Sequence, residues 1–127
     1  MKYLIDTHVF LWITENSPKL PDRIKKIVLN DDVPIYISIA SFWEIAIKLG
    51  KGTLKIDSDL SELKRLSDEN NFTVLPVSFE CLQLLLNMPF HHKDPFDRLL
   101  VATAIIEDMT LITRDENIHK YDLPVLW

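Results

Sequence analysis

Tyr3-Leu4-Ile5-Asp6 sets three apolar residues directly against an acid. An unbroken apolar run of this length fits a strand covered on both faces. Asp6 then stands at the strand's carboxyl end, where open α/β sheets gather their ligands. The same carboxylate is also placed to N-cap a helix beginning near Thr7-His8.

The pattern recurs along the chain. Ile35-Tyr36-Ile37, Thr73-Val74-Leu75 and Thr110-Leu111-Ile112-Thr113 read as further strands, with Pro124-Val125-Leu126 a short fifth at an edge. Helical periodicity fills the intervals. It runs through Leu20, Ile24, Ile27 and Val28, then through Ile39, Phe42, Trp43, Ala46 and Ile47. It returns at Leu60, Leu63 and Leu66, at Phe79, Leu82 and Leu86, and at Phe96, Leu99, Leu100 and Thr103. Strands separated by helices imply right-handed crossovers. The expectation is an α/β fold: a three-layer α/β/α sandwich with a mainly parallel sheet of four to five strands, in a single domain over residues 1–127.

Bulk properties narrow the function. Of 127 residues, 47% are hydrophobic and 26% charged, enough apolar material for one core. The net charge of -5 argues against a passive nucleic-acid binder with a basic surface. It is compatible with an enzyme that clusters carboxylates around a cation. Gly50 and Gly52 are the only glycines, which excludes a Gly-rich phosphate loop. Cys81, the sole cysteine, lies among Phe79, Leu82, Leu84 and Leu85 and reads as a small core hydrophobe. No apolar run approaches the ~20 residues needed to cross a bilayer, and the first residues lack the apolar stretch of a signal peptide. A reducing cytoplasm is expected, with no membrane association.

Four acids stand where the assumed topology would bring them together. Asp6 follows the first strand and Asp115 the fourth, within Thr113-Arg114-Asp115-Glu116-Asn117. Thr113 and Asn117 offer a hydroxyl and an amide beside it, and Asp115 also suits a helix or turn cap. In His92-Lys93-Asp94-Pro95-Phe96-Asp97-Arg98, Asp94 reads as N-cap, Pro95 as first helical residue and Asp97 as an acid one turn in. Glu44 lies on the flank of its helix's apolar stripe. Locally, Ser41-Phe42-Trp43-Glu44 matches a capping box, and Lys48 is an ion-pair partner four residues on. Such a cluster repels itself unless protons or a cation neutralise it, and hard oxygen ligands suit Mg²⁺ or Mn²⁺. Lys48, Lys51 and Arg98 each read first as solvated charges or ion-pair partners and second as contacts to nucleic-acid phosphates. His91-His92 reads as surface, because one Cys and four His give little material for zinc.

Together, Ile5-Asp6-Thr7-His8, Ser41-Phe42-Trp43-Glu44-Ile45, the run Asp94 to Ala102, and Leu111-Ile112-Thr113-Arg114-Asp115 resemble the four acidic motifs of PIN domains, in order and at compatible spacing. The subgroup resembled is VapC-like, with Asp-Thr-His near the start and Asp-Pro-Phe-Asp-Arg before the last long helix. The resemblance implies metal-site acids at Asp6, Glu44, Asp97 and Asp115 and a cofactor of Mg²⁺ or Mn²⁺. It further implies endoribonuclease activity on an RNA substrate, a homodimer, and a small antitoxin that restrains the enzyme. Asp94 is an acid additional to the usual third position. His8 stands where many relatives carry a small polar residue and is not expected to be catalytic.

Two other readings compete. A receiver-like Mg-binding signalling module would want adjacent acids after the first strand and a phosphoacceptor Asp after the third. Here one Asp follows the first, and Pro76-Val77-Ser78 follows the third. A catalytically inactive PIN-like partner-binding domain would use surfaces containing Trp12, Trp43 or Trp127.

Overall fold

The computed structural model describes residues 1–127. In chain order it contains β1 (Tyr3–Ile5), α1 (Thr7–Thr14), α2 (Asp22–Val28), β2 (Ile35–Ser38), α3 (Ile39–Lys51) and α4 (Leu60–Glu69). There follow β3 (Thr73–Leu75), α5 (Phe79–Asn87), α6 (Pro95–Ile106), β4 (Thr110–Ile112), a 3₁₀ turn (Ile118–Lys120) and β5 (Val125–Leu126). All five strands are parallel, in the order β3-β2-β1-β4-β5. The first strand of the chain is therefore the middle of the sheet, and β5 forms one edge.

Strand alternation divides the core in two. Ile5 pairs in register with Ile37 on one side and Ile112 on the other. These three side chains pack with Phe10, Ile24 and Leu63, from α1, α2 and α4. Leu4, in register with Tyr36 and Leu111, belongs to the opposite face, with Cys81, Leu100, Val101 and Ala104 from α5 and α6. Leu4, Ile5, Phe10 and Leu111 are wholly buried, each contributing about 1.5–3 kcal/mol of transfer free energy. The three-layer α/β/α sandwich is thus the consequence of strands apolar on both faces.

Side-chain caps fix where most helices begin. Asp6 caps α1 through Val9 N–H, Asp59 caps α4 through Glu62 N–H, and Asp94 caps α6 through Phe96 and Asp97 N–H. Pro95 takes the first position of α6, as its sequence indicates. At the end of α3, Gly52 adopts φ +70°, a left-handed cap that favours glycine.

Three local expectations need correction. The capping box at Ser41–Glu44 does not form, because α3 starts at Ile39 and Ser38 is its cap. Ser41 is buried instead, accepting a hydrogen bond from the Thr7 hydroxyl at 3.0 Å. Within α3, Phe42 and Ile45 face the core, whereas Ile39 and Trp43 are exposed. In α5 the inward stripe is Cys81, Leu84, Leu85 and, beyond the helix end, Met88. Phe79, Leu82 and Leu86 are left facing outward. That helix is apolar on more than one side, so periodicity alone does not say which side turns in.

Candidate metal centre

Because β1 and β4 are neighbours, the residues that leave their carboxyl ends meet. Asp6 is 5% exposed; its Oδ1 accepts from Val9 N–H at 2.7 Å and its Oδ2 accepts from the Thr113 hydroxyl. Thr113 Oγ1 in turn accepts the Asp115 backbone N–H at 3.1 Å. Asp115 Oδ1 receives Asn117 N–H at 2.8 Å, an Asx turn. Asp97 arrives from the first turn of α6, whose start Asp94 fixes. His92 closes the set, with Nε2 2.8 Å from Asp115 Oδ2 and 3.1 Å from Asp97 Oδ2.

Asp6, Asp97 and Asp115 line one cavity of about 220 Å³, together with His8, Trp12 and Arg114. Ligand atoms of His92, Asp97 and Asp115 all lie within 4.8 Å of one another. Two ionised carboxylates at such a separation repel by roughly 3–4 kcal/mol at an effective dielectric near 20. Burial, more than this repulsion, sets the protonation behaviour. Burial raises the Asp6 carboxyl above its ordinary range despite the hydrogen bonds from Thr113 and Val9. Asp97 is pushed up to about 7, chiefly by burial and then by the charges of Asp94, Asp6 and Glu44, with His92 opposing. Burial acts upward on Asp115 too, but the hydrogen bonds from His92 and Asn117 hold it below the usual carboxylate range.

Glu44 is buried, contrary to its expected place on the flank of the stripe. It is absent from the cavity wall, yet its charge acts on Asp97. Its Oε2 pairs with Lys48 at 2.8 Å, the anticipated i, i+4 contact, while its Oε1 is buried without any hydrogen-bond partner. An orphaned buried carboxylate oxygen carries a desolvation cost that a nearby cation, or water held by one, would offset.

Other sequence candidates separate. Lys48 is committed to Glu44, and Lys51 is exposed at the end of α3. Arg98 is not available to RNA: it is 5% exposed and donates to the carbonyls of Leu85, Met88 and Pro89, closing the carboxyl end of α5. His91 and His92 part company, since the His91 ring packs edge-on against Tyr121 while His92 enters the acid cluster. Two residues of the site escaped the sequence reading, His92 beside the acids and Arg114 on the cavity wall. His92 looked like loop surface; its spacing of two and five residues from Asp94 and Asp97 was the available signal. Arg114, one residue before Asp115, lies with its guanidinium carbon 4.9 Å from the centre of the Trp12 ring, a cation–π contact on the cavity wall.

A family model described as the PIN domain matches residues 3–123. The chain belongs to the PIN domain family. PIN domains are generally nucleases that use a divalent metal, and His92, Asp97 and Asp115 form a cluster that could bind a metal ion. Among solved structures, the fold is similar to VapBC2 from Rickettsia felis bound to a DNA fragment of its promoter, with a TM-score of 0.73, 18% identity, and coverage of 99% of this chain and 98% of that one. VapBC-1 from nontypeable Haemophilus influenzae is similar with a TM-score of 0.69 and 18% identity, over 99% and 97% of the two chains. FitAcB from Neisseria gonorrhoeae gives a TM-score of 0.66 and 19% identity, over 98% and 96%. At these identities the likeness is one of fold. No curated protein matches the chain. No helix of this PIN domain is long and apolar enough to cross a membrane.

Proposed function

We propose that this PIN domain is a metal-dependent endoribonuclease, the VapC-like toxin of a toxin–antitoxin pair. The observation that carries the reading is the convergence of Asp6, Asp97 and Asp115 on one cavity, with the unpartnered Glu44 Oε1 acting on it from beneath the surface charge. An all-oxygen donor set fits Mg²⁺ or Mn²⁺. In this reading Asp6, Asp97 and Asp115 are the ligands, and Glu44 holds a second ion or orients water.

A bound divalent ion supplies Lewis acidity at the phosphate and lowers the pKa of water. The protein supplies the geometry. Val9 N–H and the Thr113 hydroxyl hold both Asp6 oxygens in one orientation; Asn117 N–H and His92 meet the two oxygens of Asp115, whose backbone N–H donates to Thr113. Arg114, propped on Trp12, stands on the same wall, placed to meet a substrate phosphate oxygen, and gives an acidic chain a cation where its polyanionic substrate approaches. Hydrolysis leaves a 5′-phosphate and a 3′-hydroxyl and requires no ribose 2′-hydroxyl.

The structural relatives include VapBC toxin–antitoxin complexes, which supports a small antitoxin as partner. Trp43, Phe79, Leu86 and Phe90, all at least 60% exposed, supply apolar surface for an antitoxin and for a second copy of the chain. A cytoplasmic location follows from that role. Sequencing RNA ends after brief expression, beside an Asp6→Asn control, tests activity and target together. New 5′-phosphate ends that vanish in the variant are expected. Undiminished cleavage in the variant, or by the purified protein in excess EDTA, contradicts the reading.

A further inference from the structure

His92 makes more contacts in this region than a loop histidine needs. Its backbone N–H donates to the buried Tyr121 hydroxyl at 3.1 Å, and the same hydroxyl accepts from Arg98 at 3.3 Å. Its Nδ1 accepts the Asp94 backbone N–H at 3.1 Å. Its Nε2 meets one oxygen of Asp115 and one of Asp97. The ring is thus tied to the core from behind and to two acids in front.

The Asp94 contact favours one tautomer of the ring. A backbone amide only donates, so Nδ1 receives it with a lone pair. A neutral ring then bears its hydrogen on Nε2, pointing at the two carboxylates. A ligand role for Nε2 would move that hydrogen to Nδ1, where it would face the Asp94 N–H donor to donor. No hydrogen bond engages Asp97 Oδ1, so this carboxylate keeps an oxygen for a cation while its other oxygen is held.

We propose that His92 is a positioning residue of the metal centre: its Nε2–H clamps Asp97, from α6, to Asp115, from the segment after β4, and holds them ready for a divalent ion without ligating it. The inference rests on the nuclease reading of the site. Asp97 and Asp115 belong to different elements, and this ring is the one side chain that reaches both carboxylates, hydrogen-bonding to Asp115 Oδ2 and lying 3.1 Å from Asp97 Oδ2.

Substitutions separate the two ends of the ring. Gln at position 92 keeps an N–H donor at the reach of Nε2. Asn keeps an acceptor near the place of Nδ1 and loses the donor, and Ala loses both. Calorimetric titration with Mn²⁺ should show affinity falling by about 10–100-fold in His92→Ala and His92→Asn, with substantial recovery in His92→Gln. Loss of a merely structural contact at Asp94 would instead be rescued by Asn. Long-range ¹H–¹⁵N correlation of the histidine side chains supplies a second readout on the wild-type chain. Nδ1 should be unprotonated and Nε2 protonated both without metal and with saturating Mg²⁺. Transfer of the hydrogen to Nδ1 on adding Mg²⁺ makes His92 a ligand and overturns the inference. Equal Mn²⁺ affinities in the wild type and all three variants overturn it too, while leaving the nuclease reading standing. A wild-type chain that binds neither ion overturns both.

Discussion

Thr113 donates its hydroxyl to Asp6 Oδ2 across the gap between the two central strands β1 and β4, and it does so while wholly buried. Thr113 Oγ1 also accepts the Asp115 N–H, so one side chain aligns two of the cavity's acids. Thr113→Val keeps the shape but leaves Asp115 N–H and an Asp6 oxygen unpaired. It should lower unfolding free energy by about 1–3 kcal/mol and cut RNA cleavage at least tenfold, while Thr113→Ser stays near wild type. Urea denaturation and a fixed-time cleavage assay check both parts.

The pH dependence of stability follows from Asp97. Its folded-state pKa of about 7 lies above its ordinary 3.8, so between those values the folded chain keeps a proton that the unfolded chain releases. Stability from this group therefore falls as pH rises through that window. Asp6 acts in the same direction and Asp115 in the opposite one, so the comparison must be made within one variant pair. In metal-free protein, Asp97→Asn should flatten the fall in Tm between pH 5 and pH 8, by about 1–2 kcal/mol or roughly 5 °C. Differential scanning calorimetry in chelator-treated buffer reads this out.

Metal should reverse the penalty. At a hundredfold excess of Mg²⁺ over its Kd, linkage adds about 2.7 kcal/mol to the folded state. A rise in Tm of roughly 10 °C is expected for a chain of this size. The rise should be lost in Asp6→Asn, whose amide oxygen still caps α1 but whose charge is gone. A thermal shift series with Mg²⁺ and EDTA arms measures it.

Arg98 predicts a stability effect without a site effect at first hand. Its guanidinium satisfies three carbonyls at the end of α5 and packs 4.0 Å from the centre of the Phe90 ring. Arg98→Ala should cost about 2–4 kcal/mol through lost hydrogen bonds and buried carbonyls left unmet. Arg98→Lys should recover little, since one ammonium cannot replace the planar fork. Equilibrium denaturation distinguishes these outcomes.

The strands were legible because each is apolar on both faces, a pattern few other contexts produce. Asp6, Asp97 and Asp115 were legible for a related reason: strand ends and a Pro-marked helix start fix their positions before any contact is known. Glu44 was harder. Its local surroundings suggest a surface cap, and only tertiary packing buries it, with Ser38 rather than Ser41 starting the helix. The α5 face was misread because Phe79, Leu82 and Leu86 compete with Cys81, Leu84 and Leu85 for the inward side. His92 was missed because its role depends on Asp115, 23 residues away and on another element.

The account stands on one cation shared by Asp6, Asp97 and Asp115. Anomalous diffraction from crystals soaked in Mn²⁺ tests it most directly. A peak within bonding distance of oxygens from all three acids, absent in Asp97→Asn crystals, is the predicted result. Manganese bound only elsewhere, or no peak at saturating concentration, would contradict it.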